Sequence, residues 1–202
     1  GFIVDESIEC LVSARGAKST ALAMGLLGVR IGDAFERLKP DILLALGDRY
    51  ELLPICSAAL VMGVPIAHMS GGDVTEGAFD DSIRNAVTMM ADIHFPGTQE
   101  SAGRIAAMRG SHSRIVVAGE PGIENYVHLA PYPRESLAAE LGVPSGAKWA
   151  LFTYHPETRG NPERDRSRVE SLLKILAGRE DIVTIATYAN ADPGGAEINA
   201  LL

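Results

Sequence analysis

Cysteine is nearly absent: the 202 residues hold two, Cys10 and Cys56. Two cysteines make no disulfide framework. Both stand among apolar neighbours and read as small core side chains. No apolar run approaches ~20 residues, so no membrane-spanning helix and no membrane partner are expected. The opening Gly-Phe-Ile-Val-Asp has neither a basic region nor a cleavage site. A secretory leader is therefore not expected, and the cytoplasm is the default location. Basic residues are outnumbered, 18 Lys and Arg against 26 Asp and Glu, for a formal net charge of -8. Nucleic acid is excluded as a general partner, because phosphate affinity comes mainly from Lys and Arg releasing counterions. A small phosphorylated ligand held at helix N-termini remains compatible with that charge. No His, Cys and Asp spacing fits a zinc site, and no Gly-x-Ser-x-Gly elbow occurs. A Walker A loop and a Gly-x-Gly-x-x-Gly fingerprint are also missing, which argues against a dinucleotide dehydrogenase.

What the chain does have is alternation. Apolar residues make up 47% and charged residues 22%, the proportions of a globular protein. Residues 20–38 carry apolar side chains at helical spacing and stop before Pro40. Residues 41–46 form a short, nearly all-apolar run, as expected for a strand covered on both faces. A helix over 50–62, a strand over 65–69 and a helix over 80–90 follow. The helix over 80–90 has acids in its first turn, where they suit the positive end of the dipole. Then come a short strand at 94–95 and a helix over 98–108, capped by Thr98, with Ser101 and Arg104 on its exposed side. A strand over 114–118 and a helical stretch from Ile123 complete this series. Residues 128–133 read as a connection and 134–141 as a short helix. A second series has strands over 149–154 and 182–187, a helix over 164–177, and a last helix opened by residues 192–195. Strands alternating with helices imply an α/β fold, a Rossmann-like doubly wound parallel sheet. The expected domains are residues 1–130 and residues 147–202.

Ligands of such a sheet bind outside the carboxyl ends of its strands. Asp48 follows the first strand, and His68, Ser70 and Asp73 follow the second. Glu120 follows the strand over 114–118, His155 follows 149–154, and Asn190 and Asp192 follow 182–187. Residues 70–81 hold four carboxylates and three glycines. Crowded acids repel, which suits one of them to proton transfer. The plainer alternative is an acidic surface loop whose Asp80 caps the next helix. His112 and His128 read as surface groups, and His94 as a hydrogen-bonded packing residue.

Three segments together resemble a known family. They are Gly47-Asp48-Arg49-Tyr50-Glu51, the run from His68-Met69-Ser70-Gly71-Gly72-Asp73 to Ser82-Ile83-Arg84, and His155-Pro156-Glu157-Thr158. In this order and spacing they are similar to the hydrolysing UDP-N-acetylglucosamine 2-epimerases of the sialic-acid branch, from about Ile31 to Asp192. The resemblance implies a GT-B-like two-domain arrangement. On it, this chain would lack the opening strand of the first domain and most of the second. It implies a UDP-sugar substrate, no metal or redox cofactor, and a homodimer, which the family commonly forms. The implied reaction turns UDP-N-acetylglucosamine and water into N-acetylmannosamine and UDP, by anti-elimination and rehydration at C2. Asp48 is then the first candidate for acid–base work, with Asp80 and Asp73 next. His155 would contact the leaving diphosphate. His68, Ser70, Glu76, Arg84 and Asn190 would bind substrate, although Arg84 could instead pair with the acidic loop and hold it. Ser70 stands where many relatives carry Glu or His, and Asn85 where they often carry His. Asp73 or Glu76 would have to substitute for an acid–base group at Ser70. Alternatives are a relative acting on UDP-2,4-diacetamido-2,4,6-trideoxyglucose on the legionaminic-acid route, and a non-catalytic nucleotide-sugar-binding fragment.

Overall fold

The structure, a computed structural model, describes residues 3–12, 16–110, 113–157, 160–190 and 194–202. It divides into two compact units, Gly1–Glu124 and Asn125–Leu202. Among the described residues no helix is long and apolar enough to cross a membrane.

In the first unit the order is α1 (Ala17–Leu38), β1 (Leu43–Leu46), α2 (Leu52–Met62), β2 (Ile66–Met69), α3 (Asp80–Met90), β3 (Ile93–Phe95), α4 (Gln99–Arg109), β4 (Arg114–Ile115) and the start of α5 (Pro121–His128). The strands form one parallel sheet in the order β1-β2-β3-β4. Leu27, Ile31, Ala34 and Phe35 of α1 join Cys56 and Ala59 of α2, and Ile83 and Val87 of α3, in one core over Ala45 and Ile66. At about 25 cal/mol per Å² of apolar surface, this burial is the main stabilising term. Both cysteines go where the sequence puts small apolar side chains: Cys56 is buried, and Cys10 packs at the edge of the same core.

Two expectations about the strands are corrected. A strand covered on both faces describes β2, whose Ile66, Ala67 and His68 are all buried. It does not describe β1, at the margin of the sheet, where Leu44 and Leu46 are 61% and 57% exposed and only Ala45 between them is buried. The strand expected over 114–118 is regular only at Arg114–Ile115. Its neighbour reaches Pro96, which has no N–H to donate and so breaks the ladder. The one-way bonds Val116 N to His94 O (2.9 Å) and Ala118 N to Pro96 O (3.0 Å) still carry the chain to the carboxyl edge.

The second unit holds α6 (Arg134–Leu141), β5 (Lys148–Phe152), α7 (Pro162–Ala177), β6 (Ile182–Ala186) and α8 (Gly195–Asn199). β5 and β6 are parallel and in register from Lys148 opposite Ile182 to Phe152 opposite Ala186. Asn161 caps α7 by accepting from the amides of Glu163 and Arg164, with Pro162 at the first helical position, where its missing N–H costs nothing. Phe152, Val169, Ala189 and Ile198 form a small separate core. Each unit is thus Rossmann-like, with helices set between parallel strands.

Candidate active site

The exits of β1 and β2 are stitched together by side chains from the elements that follow them. Gly47 donates its N–H to Met69 O at 3.1 Å, which continues the β1–β2 ladder past the end of the strand. Beneath it lies His68, fully buried on β2. Its Nε2 is 2.8 Å from Gly47 O and its Nδ1 is 3.1 Å from Thr88 Oγ1 on α3. A carbonyl only accepts, so the proton sits on Nε2, and Nδ1 accepts from the threonine hydroxyl. Burial pushes the pKa of the ring down, which keeps this neutral tautomer. With both nitrogens used inside the protein, His68 has none to offer a ligand in this arrangement, and its effect falls on the turn that carries Asp48.

Arg84 performs the second stitch. It lies on α3 with a side chain only 8% exposed, and its Nη2 pairs with Asp48 Oδ2. Its Nη1 donates to Asp73 O (3.0 Å) and to Thr75 Oγ1 (2.9 Å). One guanidinium therefore joins the β1 exit to the loop that leaves β2, matching the holding role open to it in the sequence. Its buried Nε has no hydrogen-bond partner among the described residues. The planar fork of Arg permits this double reach, which a lysine could not copy.

Asp73 turns its carboxylate toward α4. Ser101 Oγ donates to Asp73 Oδ1 at 2.5 Å, and Thr98, the cap of α4, accepts from Ser101 N at 3.1 Å. The expectation that Ser101 faces solvent is corrected: it is 2% exposed. Arg104, half-buried, donates to Gly72 O at 2.9 Å. Helical periodicity misassigns this face because the loop after β2 folds down over it. Gly72 permits the approach, with φ at +78° and no Cβ where one would collide with Ser101 O.

The remaining acids of the loop are spread out. Asp80 and Asp81 open α3, so Asp80 is a first-turn residue and not the cap, a place taken by Phe79. Asp81 accepts from Thr75 N (3.0 Å) and lies 3.8 Å from Arg84. Glu76 is exposed. Ser70 takes a left-handed conformation (φ +56°) and donates from Oγ to Glu120 Oε2 at 3.1 Å. Glu120 lies at the β4 exit, where its position after the strand over 114–118 puts it. Nothing in the spacing of two residues fifty apart signals that meeting. His94 is buried as expected for packing, but among the described residues neither ring nitrogen has a hydrogen-bond partner. Its burial, with a smaller push from Arg109, brings its pKa down to about 4.

In the second unit the structure brings together two residues placed by the sequence at adjacent strand ends. Asn190 N donates to His155 Nδ1 at 3.3 Å, and both side chains are exposed. Asn199 of α8 clasps the preceding residue, accepting from Ala189 N at 2.6 Å and donating to Ala189 O at 3.1 Å. Thr158, Asp192 and His112 lie outside the described residues.

The family model described as UDP-N-acetylglucosamine 2-epimerase matches residues 1–202. The GDP/UDP-N,N'-diacetylbacillosamine 2-epimerase (hydrolyzing) of Campylobacter jejuni is 32% identical, over 100% of this chain and 52% of that protein. The UDP-N,N'-diacetylbacillosamine 2-epimerase (hydrolyzing) of Legionella pneumophila is 29% identical, over 88% of this chain and 46% of that protein. Among solved structures, the UDP-GlcNAc 2-epimerase of Neisseria meningitidis bound to UDP-GlcNAc superposes with a TM-score of 0.73 at 17% identity, over 94% of this chain and 54% of that one. The chain spans about half the length of the curated relatives it matches. It belongs to the UDP-N-acetylglucosamine 2-epimerase family.

Proposed function

We propose that this member of the epimerase family contributes the sugar-side half of an enzyme that hydrolyses a UDP-activated 2-acetamido sugar and inverts it at C2. The observation that carries the reading is the Arg84 link: it gathers Asp48 and the Asp73–Thr75 loop at one carboxyl edge of a parallel sheet, where such folds bind ligands. The C2 hydrogen is weakly acidic, so a placed carboxylate must take it as the C1–O bond breaks and UDP departs. The C2–H electron pair becomes the C1=C2 bond. Water then supplies hydroxyl to C1, and a proton returns to C2 from the other face. On this reading Asp48 is the leading proton-transfer group, and Asp80 and Asp73 are the next candidates. Arg84 and His68 hold the Asp48 turn, and Ser70 and Glu76 lie along the sugar. Within the second unit, His155 and Asn190 are the candidates to meet a diphosphate, where a donor offsets developing negative charge.

For the substrate, the 32% identity to a diacetylbacillosamine enzyme, against 22% to the UDP-N-acetylglucosamine 2-epimerase of Neisseria meningitidis, favours a 2,4-diacetamido sugar over N-acetylglucosamine. The test is to incubate the full-length protein with each UDP-sugar in D2O and follow products by proton NMR. Free C2-inverted sugar carrying deuterium at C2, together with UDP, is the expected product. A UDP-linked epimer would instead mean that no hydrolysis occurs, and release of neither sugar would end the reading.

A further inference from the structure

The carboxylate of Glu120 does not stay with its own strand. It leaves the chain after β4, crosses the exit of β3 and reaches Ser70 at the exit of β2, where Oε2 accepts from Ser70 Oγ at 3.1 Å. Neighbouring strands lie about 4.8 Å apart, so the turn and the side chain together span two spacings, about 10 Å. Gly97 leaves the space: a Cβ there would collide with Glu120 Oε1 and come within 2.9 Å of Cδ. Backbone bonds fix both ends, Ser70 N to Phe95 O at 3.0 Å and Ala118 N to Pro96 O at 3.0 Å.

Its partner sets it apart from Asp48 and Asp73. Asp48 is ion-paired with a nearly buried guanidinium. Asp73 is committed to Ser101 at the start of α4. Glu120 meets a neutral hydroxyl, which can donate to the carboxylate and, by rotating, accept from the carboxylic acid. Both protonation states are therefore served without a charge being stranded. Inversion at C2 needs one group to remove a proton and another, differently placed, to return one.

We propose that Glu120, presented by Ser70 across Gly97, is the second proton-transfer group of this site and returns the proton to C2. The inference rests on the reading of the reaction given above. Asp48 takes the C2 proton as the C1–O pair leaves with UDP. Protonated Glu120 then gives its proton to C2, the C1=C2 pair forming the new C–H bond. The oxygen of a water molecule bonds to C1 and its proton goes to Glu120, while Asp48 loses its proton to solvent. The sum is sugar nucleotide plus water giving free inverted sugar plus UDP.

The experiment compares full-length wild type, Glu120→Gln, Gly97→Ala and the double variant. Gly97 has an ordinary φ, and the atom it would displace is the far end of a flexible side chain, so Gly97→Ala should push the carboxylate off Ser70 and leave the backbone in place. Glu120→Gln is expected to lower kcat by at least ~100-fold with KM within about threefold, the size of a lost acid–base group. It should also flatten one limb of the kcat–pH profile and release unsaturated sugar with UDP. Gly97→Ala should lower kcat at least ~30-fold, and the double variant should be no worse than Glu120→Gln, because both remove one interaction. A Glu120→Gln enzyme with near-normal kcat and both limbs intact would overturn the inference. So would a change in KM alone, or a Gly97→Ala enzyme at full rate, which also decides the matter if Glu120→Gln does not fold. Wild type that releases no UDP from either sugar refutes the reaction itself, a separate failure.

Discussion

His68 holds the carbonyl of Gly47 at 2.8 Å, so a buried ring on β2 fixes the residue immediately before Asp48 in the turn that follows β1. The acidic group of one strand is aimed by the core of the next, and Arg84 completes the clamp from α3. The placement of the Asp48 carboxylate thus depends on what lies beneath it.

Asp48→Asn keeps the shape of the side chain but removes its charge. The expected result is a kcat at least ~100-fold lower with an unchanged far-UV circular dichroism spectrum. A rate within about fivefold of wild type would take Asp48 out of the proton-transfer role.

Gly72→Ala places a methyl group against the backbone carbonyl of Ser101, at a residue whose φ is +78°. Neither backbone can yield easily, so a loss of about 3 kcal/mol is expected from overpacking and left-handed strain together. Urea denaturation would show it as a lower midpoint at constant slope.

Acid should weaken the fold through its histidines before it reaches the carboxylates. Burial sets the His94 pKa to about 4 in the folded chain, against an ordinary value of 6.5. The unfolded chain thus binds more protons between those values, so stability falls as pH drops from about 6.5 toward about 4 and then levels off for this group. His68 acts in the same direction. His94→Leu removes a buried ring whose nitrogens have no hydrogen-bond partner among the described residues. It should leave stability at pH 7.5 within about 1 kcal/mol and flatten the decline between pH 6.5 and 4.5, measured by urea midpoints.

Burial pushes the Cys56 thiol up to about 11 and closes it off from solvent. Iodoacetamide at pH 7.5 should therefore leave Cys56 unmodified in the native protein and label it once urea is added, as read by intact mass and peptide mapping.

Much of the architecture was legible because apolar runs alternate with helical periods, and because the carboxyl edge of a parallel sheet is where polar residues must converge. That rule puts Asp48, His155 and Asn190 each at a strand end, and the last two meet in the structure. It misdirected His68, since a residue at a strand end can point inward as readily as outward, and only Thr88 and Gly47 in space decide which. Ser101 was missed because helical spacing describes a helix alone, and the loop at Gly72 covers that face. The meeting of Glu120, Gly97 and Ser70 left no trace in local pattern at all. The shortening of β4 could have been foreseen from Pro96.

The margin of the first sheet has its own chemistry in solution. Leu44 and Leu46 turn greasy side chains to water from an outermost strand, and such strands template one another. A concentrated sample of these 202 residues should stick to itself side by side, and a charged residue in place of Leu44 should keep it dispersed.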